Sequence, residues 1–388
     1  MRAAPQHLRL MTLSFPPTRA AALTRLHAFA PGAGRAYARD RNFDRPDAAG
    51  VSALSPYIRH RMLTEPEVLA SVRENHSDAD AEKFIQEVFW RTYWKGWLEL
   101  RPSVWDDYVV ERDQAWNDVQ TQSGLRTAWE DACLGRTGIE CFDHWAQDLA
   151  ATGYLHNHSR MWFASIWIFT LRLPWSLGAD FFLRHLLDGD AASNTLSWRW
   201  VAGLQTIGKT YLARPDNITK YTGGRFRPKE LATHAFPVDG TPPRARGPAP
   251  TSSTLDPAKR TGLLITEDDM STDWLAQRLP NLIATETVQT TEYRSPLAPA
   301  PNVIQFVEQA LSEIAAPLAT TEQVREWATA NGIEQIATPY IPVGPTRDAL
   351  GGLPLVQIIR PYDNAAWPHA THGFFRFKDK IPKLLSQL

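Results

Sequence analysis

The segment "DGDAASNTLSWRW", residues 188–200, places acids, an amide and two indoles close together. If it is helical, Asp190, Asn194 and Trp198 share one face, because residues four apart are neighbours on a helix. Trp200, two residues beyond Trp198, then lies roughly 200° around the axis. An amide donates and accepts hydrogen bonds, whereas carboxylates only accept when ionised. If the segment is helical, neighbouring side chains can therefore serve opposite sides of the helix.

Arg160 lies in an otherwise apolar run, "SRMWFASIWIFTLRL", which is typical of a buried helix ending before Pro174. A buried arginine needs an ionic or hydrogen-bonding partner. Asp188 or Asp190 can supply one. The pair is either a structural tie between two helices or part of a binding site, and both roles can hold together.

Two further motifs carry less weight. "GLQTIGKT", residues 203–210, matches the phosphate-loop pattern, but that loop needs a strand before it and a helix after it, and neither is predicted. The histidines of "LHNHSRM" have no neighbouring cysteine or carboxylate ligands, so we expect no metal site.

The elements that must position these residues change in type along the chain. Runs such as "DADAEKFIQEVFWRTYWKGWLEL" and "DFFLRHLL" have helical periodicity. A segment rich in proline and small polar residues, 236–259, predicts a linker. Beyond it, β-rich runs at 262–266, 281–290, 333–344 and 355–360 alternate with helical ones. We therefore predict an all-helical domain over 1–235 and a small α/β, Rossmann-like domain over 260–388.

Composition excludes several classes. The net charge of −1 over 388 residues lacks the global basic signature of a nucleic-acid-binding protein. Two cysteines exclude a disulfide framework and a four-cysteine iron–sulfur cluster. The N-terminus has no signal-peptide core and the chain has no apolar run of 18 residues, so we expect a cytoplasmic protein without a membrane span. Twelve of the 15 tryptophans lie between residues 90 and 200.

Six segments in the first 235 residues together resemble the FAD-binding domain of the DNA photolyase and cryptochrome family. They follow one another in the family's order and are "YARDRNF" (37–43), "GVSALSPYI" (50–58), "FIQEVFWRTYW" (84–94), "GRTGIECFDHWAQDLAATGYLHNHSRMWFAS" (135–165), "DGDAASNTLSWRWVAG" (188–203) and "NITKYTGGRFRPKEL" (217–231).

The resemblance implies FAD as the cofactor, active in its reduced form. The residues it assigns to FAD are Tyr37, Ser52, Ala53, Leu54, Ser55, Phe84, Arg91, Asn157, Arg160, Asp188, Gly189, Asp190 and Asn194. Asn194 would face the flavin N5. Trp198 would be the first member of an electron-transfer chain, Trp175 the middle member and Trp116 the exposed end, where the spacing differs from the family's.

The resemblance also implies a pocket for a flipped-out pyrimidine dimer. Its residues would be Glu87, Trp90, Asn157, His158, Met161 and Trp200, with both indoles stacking on the dimer and Glu87 bonding to its bases. Because Trp90, Trp94 and Trp97 have the spacing of a buried helical stripe, a core role for Trp90 stays open.

Departures from the family limit these expectations. His158 stands where the family often has arginine, and the match begins within the first forty residues, which leaves no room for the N-terminal antenna domain. We therefore predict a short form without an assigned antenna chromophore, acting as a light-driven, FAD-dependent lyase on damaged, preferably single-stranded, DNA. We also expect a monomer. The alternatives are a cryptochrome-like photoreceptor without repair activity and, from another class, an NTP-binding protein using residues 203–210.

Overall fold

Twelve α-helices lie between residues 19 and 221 in the computed structural model, which describes residues 13–242 and 244–388. Their bounds are α1 Arg19–Phe29, α2 Arg35–Asp40, α3 Ser55–Arg59, α4 Glu65–Arg73, α5 Glu82–Glu99, α6 Ser103–Thr121, α7 Ser123–Leu134, α8 Glu140–Thr152, α9 Asn157–Ser165, α10 Trp175–His185, α11 Ala191–Ala202 and α12 Pro215–Tyr221. The predicted helical character of this half is confirmed.

Local sequence explains where the helices around the later site begin and end. Helix α11 begins because the Asp190 carboxylate accepts a hydrogen bond from the Ser193 amide at 2.8 Å, and it ends at Gly203, whose φ is +80°. The predicted single helix over 159–173 is α9 followed by a π-helical turn at Ile166–Thr170. Asp190, Asn194 and Trp198 therefore share a helix, as the spacing predicted.

The remainder of the chain forms an α/β unit around four parallel strands, as predicted. The strands are β1 Thr261–Thr266, β2 Leu282–Val288, β3 Gln335–Pro339 and β4 Leu355–Ile358, in the order β2-β1-β3-β4. The helices of this unit are α13 Asp273–Ala276, α14 Pro301–Ser312, α15 Thr321–Ala330, α16 Pro345–Leu350, α17 Pro361–Ala366, α18 Phe374–Lys378 and α19 Ile381–Leu385.

The α/β unit packs on the helical part through the carboxyl ends of β1 and β3. The connections that follow these two strands lead to opposite edges of the sheet, and open parallel sheets usually bind ligands in the crevice at such a point. Here Arg59 and Lys95 of the helical part fill that crevice beside Asp268, leaving a cavity of about 10 Å³. Gly344, with φ +147°, lets the loop after β3 approach α11, because a Cβ there would lie 2.7 Å from the Ala191 Cβ.

Most buried apolar side chains of both parts form one large hydrophobic cluster, which extends from Phe15 to Leu385, and a second, smaller cluster around Leu264 and Val288 lies within the α/β unit. The described residues of the predicted linker, 236–242 and 244–259, contain neither helix nor strand. Within it, Ser252 and Ser253 lie along β4, where the Ser253 amide donates to the Gln357 carbonyl at 2.8 Å. The division of the chain at this segment stays a prediction.

No helix in residues 13–242 and 244–388 is long and apolar enough to cross a membrane. The N-terminal segment was predicted to lack a signal peptide. Its first residues, 1–12, lie outside the described residues.

Candidate functional site

A cavity of about 630 Å³ opens among α2, α5, α9 and α11. It brings together most of the predicted flavin and substrate residues, which are Tyr37, Ser52, Ala53, Leu54, Ser55, Phe84, Glu87, Trp90, Arg91, Asn157, His158, Arg160, Met161, Asp188, Asp190, Asn194, Trp198 and Trp200. Three predicted residues lie outside its wall: Gly189, Trp175 and Trp116. One continuous space therefore joins the two predicted sites.

The two acids before α11 have separate partners. Arg160 Nη2 lies 2.8 Å from Asp188 Oδ2, so Asp188 is the partner of this arginine, whose side chain is half-buried rather than fully buried as predicted. Asp188 Oδ1 is buried without a hydrogen-bond partner at the cavity wall. Asp190 Oδ2 instead lies 3.0 Å from Lys95 Nζ and 3.5 Å from Arg91 Nη1.

Electrostatics keep Asp190 ionised. Its burial alone would raise the carboxyl pKa, but the charges of Lys95, Arg91 and Arg59 outweigh burial and hold the pKa well below its usual value. Gly189, between the two acids, lies behind the wall, where its carbonyl accepts from Arg59 Nε at 2.7 Å. Its predicted role in flavin binding stays a prediction.

Asn194 is fixed in one orientation. Its Nδ2 donates to the Ala179 carbonyl at 2.7 Å, and since a carbonyl oxygen only accepts, the amide cannot be turned around. The Oδ1 atom is therefore the acceptor of this side chain that is left to bind a ligand in the cavity.

Trp198 packs deep against α10. A Cβ on Gly178 would lie 2.3 Å from the indole, so only glycine admits the ring at this place. Its ring neighbours are Phe182 at 5.1 Å, Trp167 at 6.2 Å and Phe163 at 6.4 Å between centroids. The buried Nε1 of Trp198 has no hydrogen-bond partner.

The other two indoles of the predicted electron-transfer chain lie in different ring clusters. Trp175 packs against Tyr108 with a centroid distance of 5.8 Å and donates to Glu111 at 2.9 Å. Trp116 packs edge-on against Trp129 at 5.3 Å. A transfer route through all three stays a prediction.

The substrate side differs from the expectation in two contacts. Glu87, predicted to bond to dimer bases, forms an ion pair with Arg41. Trp90, predicted to stack on the dimer, carries Phe374 on one face, with centroids 3.6 Å apart and planes at 11°. Trp200 is 38% exposed, with Tyr211 behind it at 5.5 Å. Trp200 therefore presents the freer indole face.

His158 lies at the wall of the cavity in an aromatic setting. Its ring stacks on Trp162 at 4.0 Å, and its Nδ1 lies 3.0 Å from the Asn42 carbonyl. Burial lowers the pKa of His158, which favours the neutral imidazole. The neighbouring His156 is buried too, and desolvation lowers its pKa to about 4.

Sequence reasoning missed several wall residues, namely Arg41, Asn42, Trp94, Tyr154, Ser197 and Phe375. Arg41 and Asn42 lie inside the "YARDRNF" segment, so the resemblance carried a signal for them. Phe375 lies in α18, far beyond the segments that resemble the family, and had no such signal.

The cavity wall fits FAD on three observations. Its volume lies within the range of cofactor pockets, and its wall is mostly apolar with a few convergent polar groups. Asp188 Oδ1 and Trp198 Nε1 are buried polar atoms without partners there. Such atoms cost free energy unless a ligand or water satisfies them.

The phosphate-loop match forms a different structure. Gly203–Gly208 is a turn that directly follows helix α11, buried at Gly203 and Leu204 and exposed from Thr206, and the chain beyond it has no regular secondary structure up to Pro215. Without the strand before it, the turn lacks the context that phosphate binding by this motif requires.

Comparison with known proteins agrees with the resemblance. Residues 84–223 match the family model of the FAD binding domain of DNA photolyase. A deoxyribodipyrimidine photo-lyase from Thermus thermophilus is 36% identical over 197 residues, or 50% of this chain and 45% of that protein. One from Streptomyces griseus is 35% identical over 163 residues, or 41% of this chain and 34% of that protein.

The chain thus spans less than half the length of these relatives. Among solved structures, a bacterial class III photolyase from Agrobacterium tumefaciens is 26% identical, with a TM-score of 0.45, over 53% of this chain and 43% of that one.

Proposed function

Because residues 84–223 match the family model of the FAD binding domain of DNA photolyase, we propose that the protein binds FAD in the large cavity and uses light to repair cyclobutane pyrimidine dimers. The supporting observation is that one open space of about 630 Å³ joins the predicted flavin contacts to the predicted substrate contacts. An electron donor and a dimer held in one space need no further carrier between them.

Bound FAD would supply the absorption of blue light and the electron that splits the dimer. The chain's part is to bind, orient and shield. Asn194 Oδ1 would accept a hydrogen bond from a ring N–H, and Arg160 with Asp188 would flank the ring. Asp190 would remain charged because Lys95 and Arg91 hold it so.

On the substrate side, Trp200 would stack on an extruded base, and Asn157 and Met161 would line the pocket. A flipped base costs less to extract from a single strand than from a duplex. With a net charge of −1, the chain has little general attraction for duplex DNA. We therefore propose single-stranded DNA as the preferred substrate.

The test illuminates the reduced, FAD-loaded protein with a dimer-containing single-stranded oligonucleotide and follows dimer loss by chromatography against a dark sample. Glu87→Ala and Trp200→Ala should retain FAD and lose repair, because they change only the substrate side. Bound FAD without light-dependent dimer loss would contradict repair.

A cryptochrome-like photoreceptor is the second candidate. Two observations favour it: Arg41 engages the Glu87 carboxylate, and Phe374 covers one face of Trp90. A sensor keeps flavin photoreduction without needing a free dimer pocket. Photoreduction without repair would therefore select this function.

A further inference from the structure

Phe375 is an exposed aromatic residue at the mouth of the cavity. Its side chain is 80% exposed and still lines the cavity wall. The two residues that flank it on the buried side of α18, Phe374 and Phe377, are 4% and 0% exposed. Burying an exposed phenylalanine against a ligand is favourable, because it removes apolar surface from water. The position therefore keeps a large apolar ring in water beside a binding cavity.

The helix that carries Phe375 is held firmly against α5. Phe374 stacks on Trp90 at 3.6 Å, Phe377 packs on Tyr93 at 5.6 Å, and the Tyr93 hydroxyl donates to the His372 carbonyl at 2.8 Å. The exposed ring is thus presented from a fixed support, which reduces the entropy lost when a ligand stacks on it.

The stack between Phe374 and Trp90 removes one indole face from the substrate side. A strand entering the cavity must then find a second stacking surface besides Trp200. Phe375 offers one, with its ring centroid 6.4 Å from that of Phe374.

The segment 374–383 around this ring is basic, with four cations against one acid, Asp379. Arg376, Lys380 and Lys383 are exposed, and within residues 13–242 and 244–388 none of the three forms an ion pair. The fourth cation, Lys378, pairs with Glu82 at 2.9 Å. An exposed aromatic ring beside unpaired cations is the combination that binds single-stranded nucleic acid, since every base has a stacking face and is followed by a phosphate.

We propose that residues 374–383 form an additional nucleic-acid contact, in which Phe375 stacks on an unpaired base next to the damaged pair and Arg376 binds its phosphate. This inference rests on the proposed function and adds a substrate-binding element from the α/β unit. The segment lies outside residues 84–223, so the FAD-binding domain does not supply it.

The test compares Phe375→Ala with wild-type protein, both loaded with FAD, for binding to a fluorescent oligothymidine carrying one dimer. Stacking of about 1–3 kcal/mol predicts a dissociation constant about 5- to 150-fold higher in the variant. Phe375→Tyr should bind like wild type. Arg376→Ala should reduce the slope of log affinity against log salt by about 0.7.

Tyr293→Ala is the matched control, because Tyr293 is 55% exposed and is not among the residues that line the cavity. If the wild-type protein binds and repairs the oligonucleotide and Phe375→Ala binds it with the same affinity, the inference is overturned while the proposed function stands. Loss of FAD from Phe375→Ala would assign the ring a structural role and also overturn it. No binding of the oligonucleotide by wild-type protein would overturn the proposed function together with the inference.

Discussion

Arg59 Nη1 lies 2.7 Å from Asp268 Oδ1, and both side chains are buried at the junction of the helical part and the α/β unit. Arg59 also donates to the carbonyl of Gly189, between Asp188 and Asp190 of the proposed flavin site. The carboxylate after β1 therefore holds the cation that positions the loop before α11. In this way the α/β unit supports a site to which it contributes few wall residues.

Asp268→Asn should destabilise the protein strongly. Without Asp268, the buried Arg59 keeps only the more distant Glu267 carboxylate, at 3.9 Å, as a paired acid. Removing one member of a buried ion pair is costly, so we expect the free energy of unfolding to fall by up to about 3–5 kcal/mol. Urea denaturation measures it. The control is Glu322→Gln, which removes the exposed pair with Arg325 and should change stability by less than about 0.5 kcal/mol. If Asp268→Asn lowers the free energy of unfolding by less than about 1 kcal/mol, the ion pair contributes little to stability.

Asn194→Asp should weaken FAD binding. A carboxylate cannot donate to the Ala179 carbonyl, so the fixed orientation of the side chain is lost and a negative charge enters the cavity. Loss of a hydrogen bond with an unmatched partner costs about 1–3 kcal/mol, which predicts at least about a fivefold higher dissociation constant. Titration with FAD measures it. Asn364→Asp makes the same change on an exposed residue and should bind as wild type does; equal affinities of all three proteins would refute the role of Asn194.

Trp198→Phe should slow flavin photoreduction while FAD stays bound. The smaller ring keeps an aromatic side chain packed in the core beside α10 but is a much poorer electron donor. We expect a rate at least about tenfold lower, equivalent to ~1.4 kcal/mol of barrier. Absorbance during illumination with an external reductant gives the rate. Trp274→Phe, in α13 of the α/β unit, is the control, and a Trp198→Phe rate equal to it would remove Trp198 from the transfer route.

Stability should decrease on acidification below neutral pH. Burial lowers the pKa of His60 to about 3 and that of His156 to about 4, against about 6.5 in an unfolded chain. Between about pH 6.5 and 4 the unfolded state therefore binds more protons, and each histidine costs up to about 1.4 kcal/mol per pH unit. Denaturation at pH 7 and pH 5 measures the slope. His156→Gln should flatten it, and an unchanged slope would mean that His156 titrates normally when folded.

The sequence was informative where an element or motif is local. Helical periodicity predicted α5 and α10, and the four-residue spacing of Asp190, Asn194 and Trp198 predicted a shared face if their segment is helical, as α11 is. The ordered motifs predicted most of the cavity wall, because each motif carries its residues with their own helix or loop. The parallel sheet followed from alternating strand and helix patterns.

Contacts across the chain were not predictable in the same way. Nothing in α5 indicates that Phe374, 284 positions away, stacks on Trp90, or that Arg59 meets Asp268 across 209 positions. An aromatic or charged residue has many possible partners in a sequence, and tertiary packing selects one. The partner of Glu87 was missed for the same reason, although Arg41 lies in a segment already singled out.

The serines that lie along β4 have a bearing on self-association. β4 is an edge strand, and edge strands present unpaired backbone groups that can template the addition of another chain. Ser252 and Ser253 satisfy part of that edge from within the proline-rich segment. The segment that composition predicted to be a linker thus covers the edge of the sheet. Replacing residues 250–255 by flexible glycines would open the β4 edge to intermolecular strand pairing and aggregation.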